Sequence, residues 1–257
     1  LNKKHIQISA LLITFNEEKH IDAVIENIDF ADEIIVVDSF STDETLIKLK
    51  GFPRVTVISR TFENFADQRN YAIDQAKYDW ILFIDADERI PENLRQEILN
   101  VVKNTDEIVA YMFKRRFFFN EKVMRFSGLQ SDTTYRLFRK GYAKYDENKI
   151  VHENLIVDGK SAVLKHYMLH YCYTSNADYK RKMEYYASLK AKELYNKGKK
   201  VNLLHLILRP VYKFITNYVV RLGFLDGIEG FNVCYLSAYG VWHRYKELQR
   251  LNSLPKL

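Results

Sequence analysis

"WILFIDADER", residues 80–89, decides how the rest of the chain is read. Trp80, Ile81, Leu82, Phe83 and Ile84 form an unbroken apolar run, which suits a short strand buried on both faces. Asp85, Asp87 and Glu88 then crowd three carboxylates into four residues. Alternation puts Asp85 and Asp87 on one side of the chain if extended geometry persists through Ala86. Two carboxylates that close repel, and one pKa rises unless a cation intervenes. A hard divalent ion, Mg²⁺ or Mn²⁺, is the expected intervener, bridging carboxylate to diphosphate oxygens. Glu88 reads as the start of the following helix.

Around this stretch, strand and helix periods alternate. Residues 6–14, 33–37 and 55–58 read as buried strands, and 17–28, 65–76 and 91–102 as helices. Ser41-Thr-Asp-Glu44 has the form of a capping box opening one more helix, and Pro91 suits a first helical turn. Such alternation predicts an α/β fold with a parallel sheet covered on both sides. After residue 105 the pattern turns to strands at 109–119, 133–139, 155–157 and 162–166, and from 178 the chain reads as helical. The expected division is a catalytic domain over 1–175, made of a nucleotide-side half (1–104) and an acceptor-side half (105–175), with a helical extension over 176–257.

The chain has 257 residues, 39 Lys and Arg against 33 Asp and Glu, and a net charge of +6, too mild to point to nucleic acid. No acid falls between Glu193 and Asp226, where six cations do. Cys172 and Cys234 stand alone, without metal-ligand spacing, as reduced thiols of a cytosolic protein. No signal-peptide pattern or spanning helix is legible.

In parallel α/β sheets, ligands bind at the carboxyl ends of the strands. Polar residues collect there: Thr14, Asn16 and Glu17 after the first strand, Asp38 to Asp43 after the second, Arg60 after the third, Asp85 and Asp87 after the fourth. Neither GxGxxG nor the glycine loop of P-loop proteins occurs, so no glycine-rich loop holds phosphate. In "ENFADQRNYAID" (63–74), Phe65, Ala72, Ile73 and Ala76 form one helix face and Gln68, Arg69 and Asn70 the other. Arg69 either offsets donor phosphate charge or lies on a solvated face.

The ordered set TFNE, VVDSFSTDE, FADQRNYA and DADE resembles the family 2 glycosyltransferases, inverting enzymes with the GT-A fold. "TTYRLFRKG" (133–141), "VHE" (151–153), "LHYCYTS" (169–175) and "RLGFLDGIEGF" (221–231) extend the likeness to the branch that builds lipopolysaccharide cores. The resemblance implies a UDP-sugar donor, with glucose the expected sugar. The implied donor site comprises Thr14, Phe15, Asn16, Glu17, Asp38, Ser41, Arg60, Gln68, Arg69, Asn70, Asp85 and Ala86. Phe15 lies beside the base, Asp38 meets uracil or ribose, and Asp85 and Asp87 flank the metal. His170 stands where a late metal ligand falls in such enzymes. A nucleotidyltransferase and a non-catalytic sugar-nucleotide module are the rival classes.

Inversion by single displacement needs a general base for the acceptor hydroxyl and no nucleophilic carboxylate. Glu153 in "VHE" is the expected base and Asp132 the second candidate. Arg136 and Arg139 either meet an anion or lie on a solvated strand edge. From 203 to 222, His205, Arg209, Lys213, Asn217 and Arg221 repeat every four residues as a polar stripe on an apolar helix, which Pro210 is expected to kink or split. A wide apolar face with a cationic ridge suits an anionic membrane surface. The rival is packing against the catalytic domain or a twin subunit. A lipid-linked or core oligosaccharide acceptor at the inner face of the cytoplasmic membrane fits the first reading.

Overall fold

A computed structural model describes residues 7–103, 107–147, 154–173 and 175–254. The chain forms two compact units, one of Leu1–Arg115 with Asp132–His170, the other of Arg116–Ser131 with Tyr171–Leu257. Residues 116–131 thus join the helical extension, a grouping that sequence order alone does not show.

The first unit is built on strands β1 (Ile8–Thr14), β2 (Glu33–Asp38), β3 (Val55–Ser59) and β4 (Trp80–Phe83). They lie in the order β3-β2-β1-β4, all parallel. The sheet continues with β8 (Thr133–Arg139), antiparallel to β4, then β6 (Ile108–Phe119), β11 (Lys160–Tyr173) and the two-residue β5 (Glu88–Arg89), while the short β7 (Lys122–Val123) pairs with the end of β6. A separate hairpin pairs β9 (Ala143–Tyr145) with β10 (Leu155–Val157). Helices α1 (Ile21–Asn27), α2 (Thr45–Leu49), α3 (Phe65–Gln75) and α4 (Glu92–Val101) complete the unit.

Alternation along β1 places two cores. Ala10 and Leu12 join the cluster that includes Ile21, Val24, Leu94 and Ile98, whereas Leu11 joins Ala66, Ala72 and Ile73 of α3. The sheet is therefore buried on both faces, as its unbroken apolar strands require.

Three local expectations are corrected. The 41–44 segment does not cap a helix: Ser41 gives its N–H and hydroxyl to Asp38, and α2 starts at Thr45 with no side-chain cap. A carboxylate three residues away outcompetes a backbone amide for that hydroxyl. The strand expected at 162–166 extends over 14 residues as β11, because the Tyr-rich stretch after His166 also favours extended backbone. Glu88 does not begin a helix but enters β5, with α4 starting after an N-cap at Pro91.

The second unit carries α5 (Asn176–Asn196), α6 (Leu203–Ile215) and α7 (Gly227–Asn252). Pro210 does not split α6, which runs through it. The irregularity falls later, in a π-helical turn at Thr216–Val220 and a 3-10 turn at Gly223–Asp226. Asp226 is buried and accepts from the Arg125 and Phe126 amides and the Ser127 hydroxyl. Gly230 of α7 lets the turn close, since a Cβ there would stand 2.0 Å from the Gly223 carbonyl oxygen. Gly230→Ala is expected to destabilise the protein by about 1–3 kcal/mol through overpacking, read as a lower urea midpoint; an unchanged midpoint contradicts this close approach.

Candidate functional site

The carboxyl ends of the parallel strands bring two groups of the predicted residues together. The first lies over β1–β3. Thr14 Oγ1 donates to Asp38 at 3.0 Å, and Asp38 is fully buried with Ser41 as its other donor. Asn16 sits at φ 57° and crosses to the 38–43 loop, donating its N–H to Ser41 Oγ and accepting the Thr42 N–H, each at 2.8 Å. The Glu17 amide donates to Thr45 Oγ1. These bonds leave Phe15 and Phe40 exposed on adjoining loops. Arg60 binds the Asp38 carbonyl through its amide, and its guanidinium holds Asp67 and Gln68. Gln68 Nε2 in turn reaches Ser39 Oγ at 3.1 Å.

The second group lies at the end of β4. Arg69 donates to Asp85 Oδ1 at 2.7 Å, and Arg136 of β8 pairs with Asp85 Oδ2. Arg136 also holds Glu88 Oε1 at 2.7 Å, and Glu88 Oε2 accepts the Asp85 N–H at 3.0 Å. Arg115 stands 3.7 Å from Glu88 and pairs through Nε with Asp132. The charges run Arg69–Asp85–Arg136–Glu88–Arg115–Asp132 without a break in sign alternation. Burial raises the Asp85 pKa, but Arg136 and then Arg69 outweigh it and hold the carboxyl well below its usual range. Arg136 and Arg69 thus offset the Asp85 charge in this structure, at the carboxylate that the sequence reading paired with Asp87 for a metal.

Asp87 has a different neighbour. Its Oδ1 lies 3.3 Å from His170 Nε2, because the β5–β11 register sets His170 opposite Glu88. Both side chains are largely buried at this end of the sheet. One carboxylate and one imidazole form a partial set that suits Mn²⁺ or Mg²⁺ when diphosphate oxygens and water complete it. No group of three or more His, Cys, Asp or Glu fit to hold a metal occurs among the described residues. The donor set fits an ion held jointly with substrate, not a closed structural site.

Several assignments change in place. Gln68, Arg69 and Asn70 are buried, so this face of α3 is not solvated. Arg69 lies against the rings of Phe83 and Tyr145. Asn70 exchanges two hydrogen bonds with the Tyr145 backbone and so anchors β9. Arg136 is buried and not on a solvated edge, while Arg139 stacks over Trp80. Ala86 is buried in the turn. Glu153 and His152 lie outside the described residues. Glu88 and Arg115 were missed as site residues. Arg136, set between Tyr135 and Leu137 in a strand and so in need of a buried acid partner, was the one available signal. A groove of about 700 Å³ along the outer face of α3 shares Arg60 and Asn70 with the first group but none of Asp85, Asp87 and His170.

Acids and amides gather over the ends of β1–β4, the side on which parallel α/β sheets bind their ligands. Residues 9–171 match the model of Glycosyl transferase family 2, and the chain belongs to that family. It is a glycosyltransferase. A lipopolysaccharide core biosynthesis glycosyltransferase, LpsC of Rhizobium meliloti (strain 1021), is 27% identical over 96% of this chain and 96% of its own. An uncharacterized glycosyltransferase of Rickettsia bellii (strain RML369-C) is 30% identical over 96% of this chain and 87% of its own. Among solved structures, S. aureus TarS 1–349 in complex with UDP-GlcNAc gives a TM-score of 0.49 at 16% identity, covering 94% of this chain and 92% of that one.

Proposed function

We propose that this glycosyltransferase moves glucose from UDP-glucose, with inversion, to a lipid-linked or core oligosaccharide in lipopolysaccharide assembly. The observation that carries the proposal is the pairing of Asp87 with His170 beside an arginine-held Asp85 at the end of β4. The likeness to LpsC, named for core biosynthesis, supports the acceptor class.

The donor lies over the strand tips, with the base beside Phe15 and the uridine reaching the Thr14, Asn16, Glu17, Asp38 and Ser41 loops. Arg60, Gln68 and Asn70 fix the floor of that region, and Arg69 adds positive charge near the diphosphate. Asp87 and His170, with Asp85 beside them, would hold Mg²⁺ or Mn²⁺, which when bound would offset the charge of the UDP leaving group. Asp85 and Ala86 set the turn that aims Asp87. Glu153 takes the proton of the acceptor hydroxyl as it attacks the anomeric carbon. Asp132 is the weaker candidate, since its carboxylate is engaged by Arg115. The protein works at the cytoplasmic face of the inner membrane, attached peripherally, as a monomer or a homodimer.

A panel of UDP-, GDP- and dTDP-sugars, read by nucleotide release with Mn²⁺, tests the donor. UDP-glucose is expected to be turned over at least about tenfold faster than the others, since a site built to hydrogen-bond its substrate rejects analogues that leave those groups unpaired. A dTDP or GDP preference overturns the donor assignment. Absence of release from every donor favours a non-catalytic module, and pyrophosphate release from a nucleoside triphosphate favours a nucleotidyltransferase.

A further inference from the structure

Helix α6 is inside out. Its Leu204, Ile207, Leu208, Val211, Tyr212 and Ile215 follow the three- and four-residue steps of a core ridge, yet all six are exposed. The polar stripe is divided: His205 and Asn217 turn to the protein, whereas Arg209 and Arg221 stay exposed. His205 stacks on Tyr245 of α7 with ring centroids 4.9 Å apart, Arg209 donates to the Tyr245 hydroxyl at 2.8 Å, and Asn217 is buried. The exposed apolar surface runs on past α6 through Val219, Val220 and Leu225 to Ile228. So large an apolar patch marks an interaction surface.

The charges around it select the occupant. Arg209, Lys213, Arg221 and Arg244 have no carboxylate partner among the described residues: Arg209 binds a tyrosine hydroxyl and Arg221 the Gly128 carbonyl. Burial, and then the charge of Arg221, push the Lys213 ammonium below its usual pKa, so these cations share one field. The flanking acids are committed elsewhere, Glu193 to Lys190 and Lys197, Asp226 to the 125–127 segment, and Glu229 to Lys122. A second copy docked on this face would bring the same unpaired cations against themselves, a like-charge arrangement that opposes association. An anionic lipid surface meets both features, taking the apolar ridge into its acyl boundary and the cations at its headgroups. Crossing is excluded for α6, whose 13 residues span about 20 Å against roughly 30 Å of hydrocarbon; no described helix is long and apolar enough to span.

We infer that the face made by α6 and the turns after it lies flat on an anionic membrane, with its apolar ridge inserted and the exposed Arg209 and Arg221 at the headgroups. The inference deepens the peripheral attachment proposed above and rests on it. Flotation of the full chain with vesicles tests it, using phosphatidylcholine alone and phosphatidylcholine with about one-third phosphatidylglycerol. The protein is expected to float with the anionic vesicles and to release as salt rises. Ile207→Gln with Val211→Gln is expected to lower the bound fraction about tenfold. Both positions are exposed, so melting temperature and UDP binding are expected to stay unchanged. Failure of the parent protein to bind anionic vesicles overturns the inference, as does a double variant that floats equally well. A parent dimer that the variant converts to monomer without any vesicle binding assigns the face to a second copy. Flotation uses no donor, so its failure leaves the transfer chemistry standing, and a failed donor screen leaves flotation standing.

Discussion

Arg136→Met is expected to lower folding stability by about 3–5 kcal/mol, the penalty for removing one partner of a buried ion pair. Arg136 bridges Asp85 and Glu88, and Glu88 is 0% exposed, so no water replaces the lost guanidinium. The urea midpoint measures the loss, provided the slope is unchanged. Arg136→Lys is expected to fall between, since a single ammonium does not reproduce a planar fork shared by two carboxylates. Adding Glu88→Gln to Arg136→Met is expected to recover part of the loss, the two residues being in contact and hence non-additive. The pairing also has a pH signature. Asp85 titrates below its ordinary 3.8 in the fold, so its stabilisation is complete above that pH and is lost as acid drives the pH down through the depressed value. Unchanged stability in Arg136→Met contradicts the arginine-held turn.

Asp87→Asn is expected to reduce turnover on the order of 10²–10³-fold, the several kcal/mol that charge stabilisation at a leaving group supplies. Asn keeps the size of the side chain and loses the negative charge that a hard cation requires. Melting temperature is expected to change little. Asp85→Asn separates the two carboxylates, because it weakens the Arg69 and Arg136 pairs and is expected to lower stability as well as turnover. Single-turnover release of UDP, with and without chelator, measures both variants. Wild-type turnover in Asp87→Asn removes the assigned role.

The parallel half of the sheet was legible because its signals are local. Strands such as 80–84 carry their own burial pattern, and the polar residues at their ends mark the site side. The partners of those residues were not legible. Asp85 and Arg136 are 51 residues apart, and no periodicity reports that one guanidinium bridges two acids. Electrostatics in the sequence demanded a cation at Asp85 but did not report the two arginines that reach it. Glu88 looked helical because charge after a strand is ordinarily a helix start, and only the β5–β11 pairing with His170 reveals its burial. In α6 the four-residue spacing was legible, and the partners of its polar stripe were not. Spacing alone does not report that Tyr245 supplies a hydroxyl for Arg209 and a ring for His205.

Titration of the protein with UDP, in the presence and absence of Mn²⁺, tests the central claim most directly. Binding of UDP that tightens with Mn²⁺ and raises the melting temperature, with the Mn²⁺ effect lost in Asp87→Asn, is the predicted result; saturation near 100 times Kd corresponds to about 2.7 kcal/mol of stabilisation. If neither UDP nor UDP-glucose shifts the melting temperature with Mn²⁺ present, the strand-tip cluster is not a nucleotide-sugar site.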